Sequence, residues 1–204
     1  MKKCCKRGLA SLVAAIFLAV TVSAAPARNL SVSEQAANIV WTPLELVMAG
    51  RSFRCNATLG ARFHYRTMVK SDNALIGYIN SATMNTCTGG SATILAATLP
   101  WHITYRGFSG TLPNITNIRM NVIGFSFNWR PEGSIACLAR STAENPLQVI
   151  TNIAAGGIVT GMRADETATI PIESFFCAFG GEGTFRGTGT VRTPGGSNVA
   201  VRLI

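Results

Sequence analysis

Charge is the scarcest commodity in this sequence. Only 13% of its 204 residues are Asp, Glu, Lys or Arg, against about 25% in an ordinary soluble protein. Aromatics make up 8%, and there are just two histidines. No Cys-x-x-Cys pair, Walker motif or dinucleotide glycine fingerprint occurs, so the usual parts of a zinc or nucleotide site are missing. Beyond the first 25 residues the cations are scattered from Arg28 to Arg202 without a basic run, so the clustered footprint of a nucleic-acid binder is lacking. Apolar residues, by contrast, are plentiful at 48%. That is enough for one real core and excludes a disordered chain, and 20 glycines without a triplet period exclude collagen.

The first 25 residues read as a leader. Lys2, Lys3, Lys6 and Arg7 form a basic start, Leu9 to Val22 is apolar, and Val22-Ser23-Ala24 supplies small residues for cleavage near Ala24 or Ala25. The apolar run is short for a membrane anchor, which needs about 20 residues. Cys4 and Cys5 precede it and leave with it. Four of the 18 Lys and Arg are lost, leaving 14 against nine Asp and Glu, about +5 for the mature chain. Such a protein is expected to be secreted or held in the cell envelope. Its charge gives it a tendency to adhere to anionic envelope polymers. No transmembrane span is expected after the leader. Residues 26–40 read as an N-terminal linker and 41–204 as a single β domain.

Cys55, Cys87, Cys137 and Cys177 remain, an even number that reads as two disulfides in an exported chain. Three pairings exist, and Cys55–Cys87 with Cys137–Cys177 is favoured because it staples neighbours. Each bond would contribute about 3–4 kcal/mol in the chain-entropy treatment. Neither histidine stands at ligand spacing from a cysteine, so no metal is expected.

The mature chain alternates with period two. Phe53, Cys55, Ala57, Leu59, Ala61, Phe63 and Tyr65 share one parity, and Arg54, Asn56, Thr58, Arg62, His64 and Arg66 the other. Gly60 marks a bulge or kink. Trp101, Ile103 and Tyr105 repeat the pattern, as do Phe125, Phe127 and Trp129, then Ala168, Ile170 and Ile172, then Val199, Val201 and Leu203. Turn signals separate these runs, among them Thr88-Gly89-Gly90, Arg130-Pro131-Glu132-Gly133 and Pro194-Gly195-Gly196. The fold class is all-β: an antiparallel sandwich or a closed barrel-like domain. Ser31 to Val40 and Thr142 to Ile153 are the only candidates for short helical turns. An outer-membrane barrel alternates too, but its strands run about 9–11 residues and carry aromatic girdles, whereas the runs here are mostly shorter.

No active site assembles from these residues. His64 and His102 fall on the polar parity of their strands. Gly107-Phe108-Ser109-Gly110 lacks the spacing of a nucleophile elbow. Asp165 and Glu166 are adjacent, so on a strand they face opposite ways, and in a loop they cap or solvate a turn. Asp72 with Glu173 is a carboxylate pair that only a structure can judge. Tyr65, Trp101, Tyr105, Phe108 and Trp129 are candidate lining residues for an apolar ligand, with core packing as the plainer account. Asn56 and Asn114 begin glycosylation triplets, relevant only to a eukaryotic chain.

The stretch Ala96-Ala97-Thr98-Leu99-Pro100-Trp101-His102-Ile103-Thr104-Tyr105, followed by Gly110-Thr111-Leu112-Pro113-Asn114-Ile115-Thr116, resembles a family of uncharacterised secreted bacterial β-rich proteins. The likeness runs loosely from Phe53 to Thr190. More distantly, Phe53, Cys55, Cys87, Leu99, Pro100 and Trp101 are similar in order to the alkane-oxidation activator proteins, which are linked to growth on hydrocarbons. Neither resemblance brings catalytic residues. Both motifs also have an architectural account: Pro100 suits a strand start and Pro113-Asn114 a turn.

Two functions follow as expectations. The first is an exported, non-enzymatic protein acting by binding or assembly, with an apolar small molecule, an envelope polymer or a second copy as partner and no cofactor. An unpaired strand at Val199 to Ile204 would favour assembly by strand addition. The second is a secreted hydrolase that draws on His64, His102, Asp72 or Asp165.

Overall fold

The structure, a computed structural model, describes residues 29–48, 50–133, 135–173 and 181–204; the leader and Cys177 lie outside them. Sixteen strands form among these residues. In chain order they are β1 (Asn29–Val32), β2 (Ala36–Met48), β3 (Arg51–Phe63), β4 (Thr67–Val69), β5 (Leu75–Thr88), β6 (Gly90–Ile94), β7 (Trp101–Thr111) and β8 (Asn114–Ile123). They continue as β9 (Ser126–Pro131), β10 (Cys137–Arg140), β11 (Leu147–Ile153), β12 (Val159–Ala164), β13 (Thr169–Glu173), β14 (Gly181–Arg186), β15 (Thr188–Arg192) and β16 (Val201–Leu203).

All pairings between these strands are antiparallel. Eight of the strands close a ring in the order β2, β3, β5, β7, β8, β11, β12, β15 and back to β2. The chain is therefore a closed barrel rather than a sandwich. The far halves of β2, β3 and β5 run beyond this ring, where β14, β13, β10, β9 and β6 continue the wall. Each of these short strands abuts one strand of the first ring in sequence: β6 with β7, β9 with β8, β10 with β11, β13 with β12 and β14 with β15. The barrel is thus eight long strands in a simple up-and-down order, most of them interrupted at mid-height. Gly187 breaks one, Gly124-Phe125 another, and Thr42-Pro43 lies at a register shift in β2, where a proline removes no ladder bond.

The alternation in the sequence sets what faces inward. Phe53, Cys55, Ala57, Leu59 and Ala61 are buried along β3, while Arg54, Thr58 and Arg62 are exposed. The expected irregularity at Gly60 is present as a register shift against β5, and a Cβ there would collide with the Ser81 hydroxyl. Apolar side chains mostly point in, and along β3 Arg, Asn and Thr alternate with them, the reverse of a lipid-facing barrel. None of the described helices is long and apolar enough to cross a membrane.

Three local expectations are corrected. Residues 26–40 are not all linker: Asn29–Val32 is β1, and β2 begins at Ala36. Ser31 to Val40 is two strand segments around a bend at Ser33–Gln35 rather than helix, because Leu30, Val32, Ala37 and Ile39 alternate into the core and β1 finds partners in β4 and β16. Thr142 to Ile153 likewise gives a turn followed by β11. The only helical turns among the described residues are Ala96–Thr98 and Ala155–Gly157. The C-terminal strand is not unpaired: Val201–Leu203 pairs with β1, as an end strand of the sheet β16-β1-β4.

Candidate functional site

An eight-stranded barrel has an interior just wide enough for side chains, and this one is filled. Among the described residues it holds apolar cavities of about 30 and 50 Å³, which share Ile39, Ile103, Met120 and Met162 in their walls. The smaller is about the space of one water molecule. Trp41 Nε1 and Thr151 Oγ1, which face these cavities, are buried without a hydrogen-bond partner.

None of the five aromatic candidates lines either cavity. Tyr65 lies outside the barrel at 74% exposure. Trp101 is fully buried; its indole N–H donates to Thr98 Oγ1 at 2.9 Å and its ring meets Phe125 edge-on at 4.9 Å. Trp129 packs on Phe53 at 5.3 Å in the part of the wall beyond the closed ring. Phe108 is half-buried with the Lys70 ammonium 5.5 Å above its ring. Tyr105 is buried, and burial holds its phenol above the usual range while the Arg119 charge pulls the other way. Three of the five are therefore core, and no common ligand wall brings the set together.

The ionisable candidates are likewise dispersed. The ring of His64 packs at a tilt against Tyr78, centroids 5.4 Å apart, and Tyr78 sits opposite His102 across the β5–β7 ladder. Asp72 pairs with Arg106 at 3.2 Å. Asp165 Oδ1 accepts from the Thr167 amide and hydroxyl, the turn cap expected of it, and Glu166 pairs with Arg186 at 3.4 Å. Ser109 lies opposite Asn117, and Glu173 lies opposite Leu138 in the sheet. No group of three His, Cys, Asp or Glu among the described residues could hold a metal.

Cys55 and Cys87 form the expected disulfide between β3 and β5. Cys137 is also disulfide-bonded. The Cys55–Cys87 bond stands beside the join, in the wall beyond the closed ring, that has no ladder among the described strands. There β5 beyond Ile79 pairs only with β3, and β6 pairs only with β9. No charged residue occurs between Asp72 and Arg106, so these two edges lack the charges that usually blunt an exposed strand.

A groove on the outer wall was not foreseen. It holds about 110 Å³ and crosses β7, β8 and β11, with Arg106, Arg119, Gln148 and Asp165 around a floor that includes Val149 and Ile150. Strand register alone brings these residues together, since Ile150 lies opposite both Arg119 and Arg163, and Gln148 lies opposite Asn121. The only sequence signal was their polar parity. Comparison with protein-family models, with curated proteins and with solved structures finds no match to this chain.

Proposed function

We propose that this is an exported, non-enzymatic protein of the cell envelope or extracellular space that acts by binding or assembly through its outer surface. The observation that carries this reading is the filled interior: the cavities of about 30 and 50 Å³ inside the barrel are too small for a ligand, which favours binding at the outer surface. The leader, the disulfide and the likeness to uncharacterised secreted bacterial proteins support export. The uncharged edges of β5 and β6 support assembly with a strand of another chain. An apolar cargo inside draws no support from so small a space, and the hydrolase alternative draws none from ionisable groups that do not converge among the described residues.

The test is a panel of ester and glycoside substrates offered to the secreted protein and to its His102→Ala and Asp165→Ala variants. The reading expects no turnover by any of them. Turnover by the parent that either substitution abolishes would overturn it.

A further inference from the structure

We infer that the open seam between β5 and β6 is the contact between two copies of this chain, each lending its edges to the other. This rests on the reading of the chain as one that assembles through its surface, and it names the partner.

Beyond Ile79, β5 pairs only with β3, and β6 pairs only with β9, so two ladder edges border the same opening. The other joins of the extension are laddered. The two edges carry nearly the same tetrapeptide: Ser81-Ala82-Thr83-Met84 on β5 and Ser91-Ala92-Thr93-Ile94 on β6. Ala82, Met84, Ala92 and Ile94 pack against the core but are only partly buried, whereas Phe53, Phe127 and Phe185 on other strands of the extension are at most 3% exposed. Thr83 and Thr93 are exposed. The core is therefore least covered along this seam.

One copy cannot close the seam on itself in the register that suits these side chains. Placing Thr83 opposite Thr93 within one chain needs a turn over residues 87–89. Cys87 is instead bonded to Cys55, and Thr88 lies opposite Arg54, so β5 runs on as strand where that turn would form. Between two copies related by a two-fold axis the register is available twice, with β5 of each taking β6 of the other. Thr83 then meets the partner's Thr93 on the outer face. Inside, Ala82 meets the partner's Ile94 and Met84 meets the partner's Ala92, small against large in both pairs. Such cross-strand pairs are the unit of sheet stabilisation. No charged residue occurs between Asp72 and Arg106, so two positively charged chains can meet here without opposing like charges, and nothing on either edge blunts it.

The experiment is native mass spectrometry and light scattering of the full secreted, disulfide-intact protein at micromolar concentration. A dimer is expected. Thr83→Lys combined with Thr93→Lys opposes two pairs of lysines across the axis and should raise the dimer dissociation constant about tenfold. Thr83→Lys combined with Thr93→Glu sets opposite charges face to face and should return it to near the parental value. Thr190→Lys, exposed on β15 between β12 and β2, should leave it unchanged. Circular dichroism identifies any variant that fails to fold, and the parent and the charge-swapped pair then decide. A monomeric parent, or a dimer unmoved by the double lysine variant, would overturn the seam as a self-contact while leaving the non-enzymatic reading in place. Turnover in the substrate panel would remove that reading without changing the oligomeric state.

Discussion

Removing the Phe125 ring should loosen both halves of the barrel at once. Phe125 lies between β8 and β9, where the wall passes from the closed ring to its extension, and it is 1% exposed. Its ring meets Trp101 at 4.9 Å and both Phe127 and Phe185 at 5.4 Å. It also forms part of the wall of the 30 Å³ cavity. A Phe→Ala change in a core removes about 3–5 kcal/mol. Each ring pair adds about 0.5–1.5 kcal/mol beyond area burial, and the new void joins an existing one, so Phe125→Ala belongs at the top of the range, about 5 kcal/mol. At about 2–4 °C per kcal/mol for a chain of this size, the midpoint should fall by about 10–20 °C. Phe125→Leu keeps most of the apolar bulk and loses the ring contacts, for about 2 kcal/mol.

The assay is guanidinium and thermal unfolding with disulfides intact, followed by far-UV circular dichroism and tryptophan fluorescence. Trp41 reports on the closed ring and Trp129 on the extension. Because β2, β3 and β5 run through both, all probes should move together in one transition. A loss below about 1 kcal/mol in Phe125→Ala, or separate transitions for Trp41 and Trp129, would refute a continuous core joined at this ring.

Three further outcomes follow. Gly77→Ala should destabilise by about 1–3 kcal/mol in chemical denaturation, because its Cβ would sit 2.5 Å from the Arg62 carbonyl oxygen; Gly195→Ala, whose nearest neighbour would be 3.9 Å away, should be near neutral. Tyr105 has its phenol pKa raised by burial, so its neutral form is favoured in the fold. That stabilisation is present below the unfolded phenol pKa of about 10 and is lost as pH rises through the higher folded value. An absorbance titration should show one of the three tyrosines ionising after the others, and Tyr105→Phe should remove that alkaline loss of stability. Replacing Cys55 and Cys87 by serine reopens a loop of 32 residues and should lower the unfolding free energy by about 4 kcal/mol.

Much of the wall was legible because a half-buried strand writes its period into the chain. Phe53 to Ala61, Trp101 to Tyr105 and Ile170 to Ile172 all face as their parity indicates. Register was not legible, because it depends on which strand lies opposite. Closure of the barrel rests on Gly189 meeting Trp41 across almost the whole sequence, and no local pattern announces that. The misreading at Ser31 to Val40 has a similar origin: Ser33 before Glu34 looks like a helix start, yet β16, from the far end of the chain, makes β1 a strand. Trp101, Tyr105 and Trp129 were correctly placed inward, but in a barrel this narrow inward means core. The Arg119 groove was invisible for the opposite reason, since Arg119 and Gln148 meet only through the β8–β11 ladder.

The most direct test of action through the outer wall is native mass spectrometry of the secreted, unreduced protein, compared before and after denaturation. The account expects the processed chain to be four hydrogens lighter than its reduced sequence mass, with no apolar molecule released. Stoichiometric release of a lipid or hydrocarbon on denaturation would contradict it, because the interior would then have to open well beyond the about 30 and 50 Å³ now free.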